Sequence, residues 1–71
     1  MSHLEIIMEL HPFIGKQIIE CAKDIEIIAR HHGFYVNIMD PEFNTAAIDN
    51  DPKRLNVRTD KDSKVVSFTI G

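Results

Sequence analysis

Cysteine is nearly absent from this chain. Cys21 stands alone, so no intramolecular disulfide can form, and rigidity has to come from packing, hydrogen bonds and ion pairs. Basic charge is also in deficit. Lys and Arg total 8 against 11 Asp and Glu, a formal net charge of −3, which leaves no basic footprint to neutralise phosphates and argues against nucleic acid as a partner. Uninterrupted apolar runs are missing as well. The opening Met-Ser-His-Leu-Glu-Ile-Ile-Met-Glu-Leu carries Glu5 and Glu9 inside its apolar stretch, so it has the form of neither a signal peptide nor a membrane span. A lone thiol with no such segment suits a reducing compartment, and a cytoplasmic location is expected unless a leader segment has been removed. There is no repeat, low-complexity run or linker. At 71 residues the chain has room for one core, and hence for a single domain over 1–71.

The rest is ordinary for a folded protein: 44% apolar residues and 27% charged residues of mixed sign, evenly spread. Residues 1–13 alternate loosely, with Leu4, Ile6, Met8 and Leu10 set against Glu5, Ile7 and Glu9, which predicts a short strand or extended arm closed by Pro12. Over 15–32 the apolar residues Ile18, Ala22, Ile25 and Ala29 recur at helical spacing, widened by Ile14, Cys21 and Ile28, which predicts a helix. Arg30, His31 and His32 suit the negative end of its dipole, and Gly33 is the residue that most easily takes a left-handed cap. Segments 34–39, 54–59 and 64–70 alternate with the two-residue period of half-buried strands, and Asp60-Lys61-Asp62-Ser63 reads as a hairpin turn. The expected fold is therefore α+β, with one helix packed on a small mixed sheet and a long exposed loop between the two central strands.

That loop, 40–53, is long for so small a domain, and long ordered loops in compact domains are usually functional. It contains no glycine, and Pro41 and Pro52 stiffen its two ends, so an extended, semi-rigid segment is expected. Other chemistry is weakly supported. His31 and His32 are adjacent and project in different directions from a helix, and no His-x-x-x-His or cysteine pair joins them to Asp40 and Glu42, so no metal site is expected. Asp49, Asn50 and Asp51 lack the glycine and closing glutamate of a calcium loop. Cys21 lies on the apolar flank of the helix, where a free cysteine acts as a small hydrophobe. No acid is paired with a base and no nucleophile has an orienting partner, so neither catalytic residues nor a cofactor is expected.

Phe13-Ile14-Gly15-Lys16, the Glu20-Cys21-Ala22-Lys23 turn, Val36-Asn37-Ile38, the stretch 45–49, Arg54-Leu55-Asn56-Val57, Asp60 and the closing Ile70-Gly71 together resemble the potato type I serine protease inhibitor family. Arg-Leu-Asn-Val is similar to the small bacterial relatives of that family, which often bracket the domain with a cysteine pair absent here. The resemblance implies that the loop enters a protease cleft as an extended substrate mimic, with the scissile bond just before an acidic residue. Counted back from Arg54, that residue is Asp49 and the bond is Ile48–Asp49. The stretch from Ile38 to Asp49 is one residue longer than the family pattern, which keeps Ala47–Ile48 as the fallback register. The protease-binding loop is then Thr45, Ala46, Ala47, Ile48, Asp49 and Asn50, supported by Arg54, Asn56 and Gly71.

Two departures from the family stand out. Asn56 replaces the second bracing arginine, and Ala47 stands where a threonine normally precedes the reactive residue. Ile48 is β-branched and stiff, which points to a subtilisin-like or elastase-like protease as partner rather than a trypsin-like one. The alternative reading is a non-inhibitory protein-binding or self-associating module on the same scaffold. The sequence leaves the oligomeric state open.

Overall fold

The computed structural model describes residues 3–41 and 51–71. Over these the chain runs α1 (His3–Leu10), a 3-10 turn (His11–Phe13), α2 (Ile18–His31), β1 (Tyr35–Met39), β2 (Arg54–Thr59) and β3 (Val65–Ile70). The sheet order is β1-β2-β3, with β1 and β2 parallel and β2 and β3 antiparallel. Two helices and a three-stranded mixed sheet thus make a small α+β fold.

α2 forms where its apolar stripe predicts. Cys21, Ile25 and Ala29 are buried along one face, and Ile18 and Ile28 pack beside them. It starts at Ile18 rather than near Gly15 because the preceding backbone is drawn into β3. Gly15 N–H donates to Val65 O (2.7 Å), Val65 N–H to Lys16 O (2.9 Å) and Ile18 N–H to Ser63 O (2.8 Å), around a bridge between Gln17 and Lys64. At the other end Gly33 takes φ +84° and its N–H reaches Arg30 O at 3.0 Å, closing the helix as expected.

The N-terminal residues depart from expectation. They form α1, a second helix, instead of a strand or extended arm. Alternation would place Leu4, Ile6, Met8 and Leu10 on one face; the structure separates them into two pairs at i,i+4, with Ile6 and Leu10 buried and Leu4 and Met8 exposed. Half-buried Ile7, out of place in an alternating strand, widens the buried stripe. α1 is fastened to the end of α2 by Glu9 Oε2 and His32 Nε2 at 2.7 Å.

The sheet buries its inner face against these helices. Leu55 and Val57 lie opposite Ile70 and Phe68 on β3 and alongside Val36 and Ile38 on β1, and the buried members join Ile6, Leu10, Ile25 and Val65 in one core. In the hairpin from β2 to β3, Asp60 Oδ1 accepts N–H bonds from Asp62 and Lys64, both at 2.9 Å, and Ser63 takes φ +62°. Those bonds hold the Asp60 carboxyl below its ordinary range. Among the described residues no helix is long and apolar enough to cross a membrane.

Candidate functional site

A central strand with one inward face should leave its alternate residues wet, yet β2 buries Arg54, Leu55, Asn56 and Val57 in succession. Leu55 and Val57 belong to the core. Arg54 and Asn56, 9% and 8% exposed, lie on the opposite face, away from the helices, and buried polar side chains of this kind need partners. They find a shared one in Gly71. Arg54 Nε donates to Gly71 O at 3.1 Å and Asn56 Nδ2 donates to the same oxygen at 2.7 Å, while Gly71 N–H returns a bond to Arg54 O at 3.1 Å. Asn37 Nδ2 on β1 donates to Asn56 Oδ1 at 3.2 Å, so the amide of Asn56 is held from both sides. The structure brings Arg54, Asn56 and Gly71 together, and the two-residue period is what places the Arg54 and Asn56 side chains on one face.

Beside this group lies a second one that the sequence reading missed. Tyr35 opens β1 directly alongside Arg54 in the parallel register, and its hydroxyl donates a short hydrogen bond to Asp51 Oδ2. Asp51 Oδ1 accepts the Lys53 N–H at 2.9 Å, its carbonyl accepts the Arg54 N–H at 3.1 Å, and Tyr35 N–H reaches Lys53 O at 2.9 Å. The chain leading into β2 is thereby clasped to the start of β1. The bond from Tyr35, then that from the Lys53 amide, holds the Asp51 carboxyl below its ordinary range, and the Arg54 and Lys53 charges add to this. Tyr35 moves the opposite way: the hydrogen bond its hydroxyl donates to Asp51 holds the phenol protonated, desolvation and the repulsion a phenolate would meet from Asp51 add to this, and its pKa rises, with Arg54 as a partial offset. In the sequence Asp51 reads only as a candidate calcium ligand that lacks the rest of a calcium loop. Nothing in the sequence set Tyr35 next to it, because that juxtaposition depends on parallel pairing.

The parallel pair also sets the task of segment 40–53. The chain leaves β1 at Met39 and enters β2 at Arg54, and in this register Tyr35, not Met39, lies beside Arg54. The segment must therefore return the length of β1, roughly 15 Å, instead of closing a hairpin. Thr45, Ala46, Ala47, Ile48, Asp49 and Asn50 lie outside the described residues.

Cys21 is buried and its thiol donates to Gln17 O at 3.3 Å; burial pushes its pKa up, which suits a small hydrophobe and not a nucleophile. Among the described residues no group of three His, Cys, Asp or Glu could hold a metal ion. The chain matches no family model, no curated protein and no solved structure.

The clasp can be checked in solution because Tyr35 is the one tyrosine and tryptophan is absent, which makes a phenolate absorbance titration specific to it. Tyr35 is expected to titrate above its ordinary 10.0, and Asp51→Asn to bring it back toward that value. The linkage signs follow. A raised tyrosine pKa contributes stability that is present below pH 10.0 and lost as pH rises through the folded value; a lowered Asp51 pKa contributes stability present above 3.8 and lost as pH falls through the folded value. A Tyr35 titration unmoved by Asp51→Asn would mean that the clasp does not form.

Proposed function

We propose that this domain is a serine protease inhibitor, not an enzyme, that presents residues 45–50 to a subtilisin-like or elastase-like protease as an extended substrate mimic. The scissile bond is Ile48–Asp49, with Ala47–Ile48 as the alternate register. No cofactor takes part, and the setting that fits a single buried thiol is the cytoplasm.

The observation that carries the reading is the buried polar group at the root of the segment, where Arg54 and Asn56 converge on Gly71. A rigid strand end with an arginine beneath the loop is what a substrate-like inhibitor requires. A segment already held in its bound shape loses little conformational entropy on docking, so more of the contact energy appears as affinity. After cleavage, a scaffold that keeps the new amine beside the acyl-enzyme favours religation over hydrolysis. In this proposal the Arg54 guanidinium holds Asp49 by charge-assisted hydrogen bonds, Gly71 steadies Arg54 from behind, and the Tyr35–Asp51 clasp fixes the point where the segment rejoins the sheet. Asn56 offers an amide where the resembled family has a second arginine, so the brace has one charge-assisted partner for the loop instead of two.

The test is a panel of subtilisin, elastase and chymotrypsin. Slow, tight inhibition of at least one is expected, with any slow cleavage mapping between Ala46 and Asp49. Rapid complete digestion of the segment without inhibition would transfer the function to the second reading, a non-inhibitory binding or self-associating module.

A further inference from the structure

We propose that β1 is a self-association edge, through which two copies of this chain pair antiparallel and join their three-stranded sheets into one. This inference is independent of protease inhibition and rests on the strand's main chain. Tyr35 N–H donates to Lys53 O at 2.9 Å, so by the two-residue period Tyr35, Asn37 and Met39 turn their main-chain groups toward β2. The N–H and C=O groups of Val36 and Ile38 point the other way. Among the described residues no strand pairs with that outer edge. The edge of β3, by contrast, is covered where the strand begins, by the Gly15 and Lys16 bonds to Val65 and the Gln17–Lys64 bridge.

Exposed strand edges are usually protected by a lysine, a proline, a bulge or an inward-pointing charge, because an open edge is a template for pairing. Tyr35–Met39 reads Tyr-Val-Asn-Ile-Met and has no such charge or proline, and the irregular register falls between β2 and β3 instead. The sequence is also complementary to itself. About a two-fold axis through Asn37, Val36 meets the copy's Ile38 on the inner face, each such pair exchanging both of its main-chain hydrogen bonds. On the outer face Tyr35 meets the copy's Met39, a favourable sulfur–aromatic pairing, and Asn37 meets its own amide, which both donates and accepts.

Side-chain surroundings favour the same occupant. A groove of about 360 Å³ runs between β1 and the Ala22, Glu26 and Arg30 stripe of α2, and Ile38 is 47% exposed along it. Ile19, 86% exposed, lies on the same flank of α2 by the helical period. Glu26 and Arg30 are the acid and the base in the groove lining, so the groove itself is neutral on a chain of net charge −3, and a copy arriving there meets no net like charge from its walls. The strand is short, so the interface falls below the roughly 1,200 Å² of a stable complex and the dimer is weak.

The experiment combines sedimentation velocity with amide hydrogen exchange on the full chain, from roughly 10 μM to 1 mM, the range a small interface reaches. A monomer–dimer equilibrium is expected. The Val36 and Ile38 amides should exchange rapidly in dilute solution and at least about tenfold more slowly when concentrated, while the Asn37 amide is protected throughout. Ile38→Lys should leave a folded monomer by circular dichroism, whereas Val66→Lys, at an exposed β3 position, should still dimerise. A monomer at the highest concentration overturns the proposal. So does protection of Val36 and Ile38 that is independent of concentration, which would place their partner within the same chain, and so does equal loss of dimer in both variants.

Discussion

Arg54→Ala is expected to weaken inhibition of the most susceptible protease on the order of 100-fold, about 2.8 kcal/mol, while the domain remains folded. The size follows from what the side chain is proposed to hold. A hydrogen bond to a charged group contributes roughly 1.5–3 kcal/mol, and here its loss acts on a segment whose affinity depends on being pre-shaped. Stability should fall far less. The bond from Arg54 Nε to Gly71 O disappears, but Asn56 Nδ2 still satisfies that oxygen at 2.7 Å, so the fold loses about 1 kcal/mol, a melting shift of roughly 4–8 °C. Arg54→Lys should fall between, because an ammonium keeps the charge without the planar fork. Inhibition constants and melting temperatures are measured side by side. Losses in proportion to each other would show that Arg54 serves the fold alone, and an unchanged inhibition constant would remove it from the brace.

The second large effect concerns α1. Leu10→Ala is expected to cost about 2–5 kcal/mol, because Leu10 is fully buried and its removal leaves a cavity among Ile6, Ile25 and their neighbours. For a domain whose whole stability sits near the low end of about 5–15 kcal/mol, that lowers the melting temperature by on the order of 10–30 °C. Met8→Ala on the same helix, where Met8 is 65% exposed, should change stability by no more than about 0.5 kcal/mol. Thermal and urea unfolding of the two variants checks this. If they unfold alike, residues 3–10 are an appendage and not a wall of the core.

The contrast between Leu10 and Met8 separates a helix from the extended arm that alternation predicts for residues 1–13. Leu4, Ile6, Met8 and Leu10 satisfy a period of two as well as two interleaved i,i+4 pairs, and a stretch so short cannot separate the patterns. Glu5 in the first turn and Pro12 in the following 3-10 turn fit the helix equally well. Longer patterns were plainer. α2, β2 and the hairpin around Asp60 sit where periodicity and turn chemistry place them, and Gly33 caps α2 in the left-handed conformation that glycine takes most easily. Alternation along 34–39 puts Ile38 on the side of half-buried Val36, yet it is 47% exposed because β1 lies at the edge of the sheet the described residues form.

The chain by itself determined the class of fold, the main helix, the three strands, the lone buried thiol and the shared face of Arg54 and Asn56, since each depends on neighbours within a turn or two of backbone. Only the tertiary structure decided that β1 and β2 run parallel, that Tyr35 therefore meets Asp51 beside Arg54, and that β1 has no second strand beside it among the described residues. Strand direction and strand order leave no trace in a period of two; they are chosen by which faces can be buried together, and that is a property of the whole packed molecule.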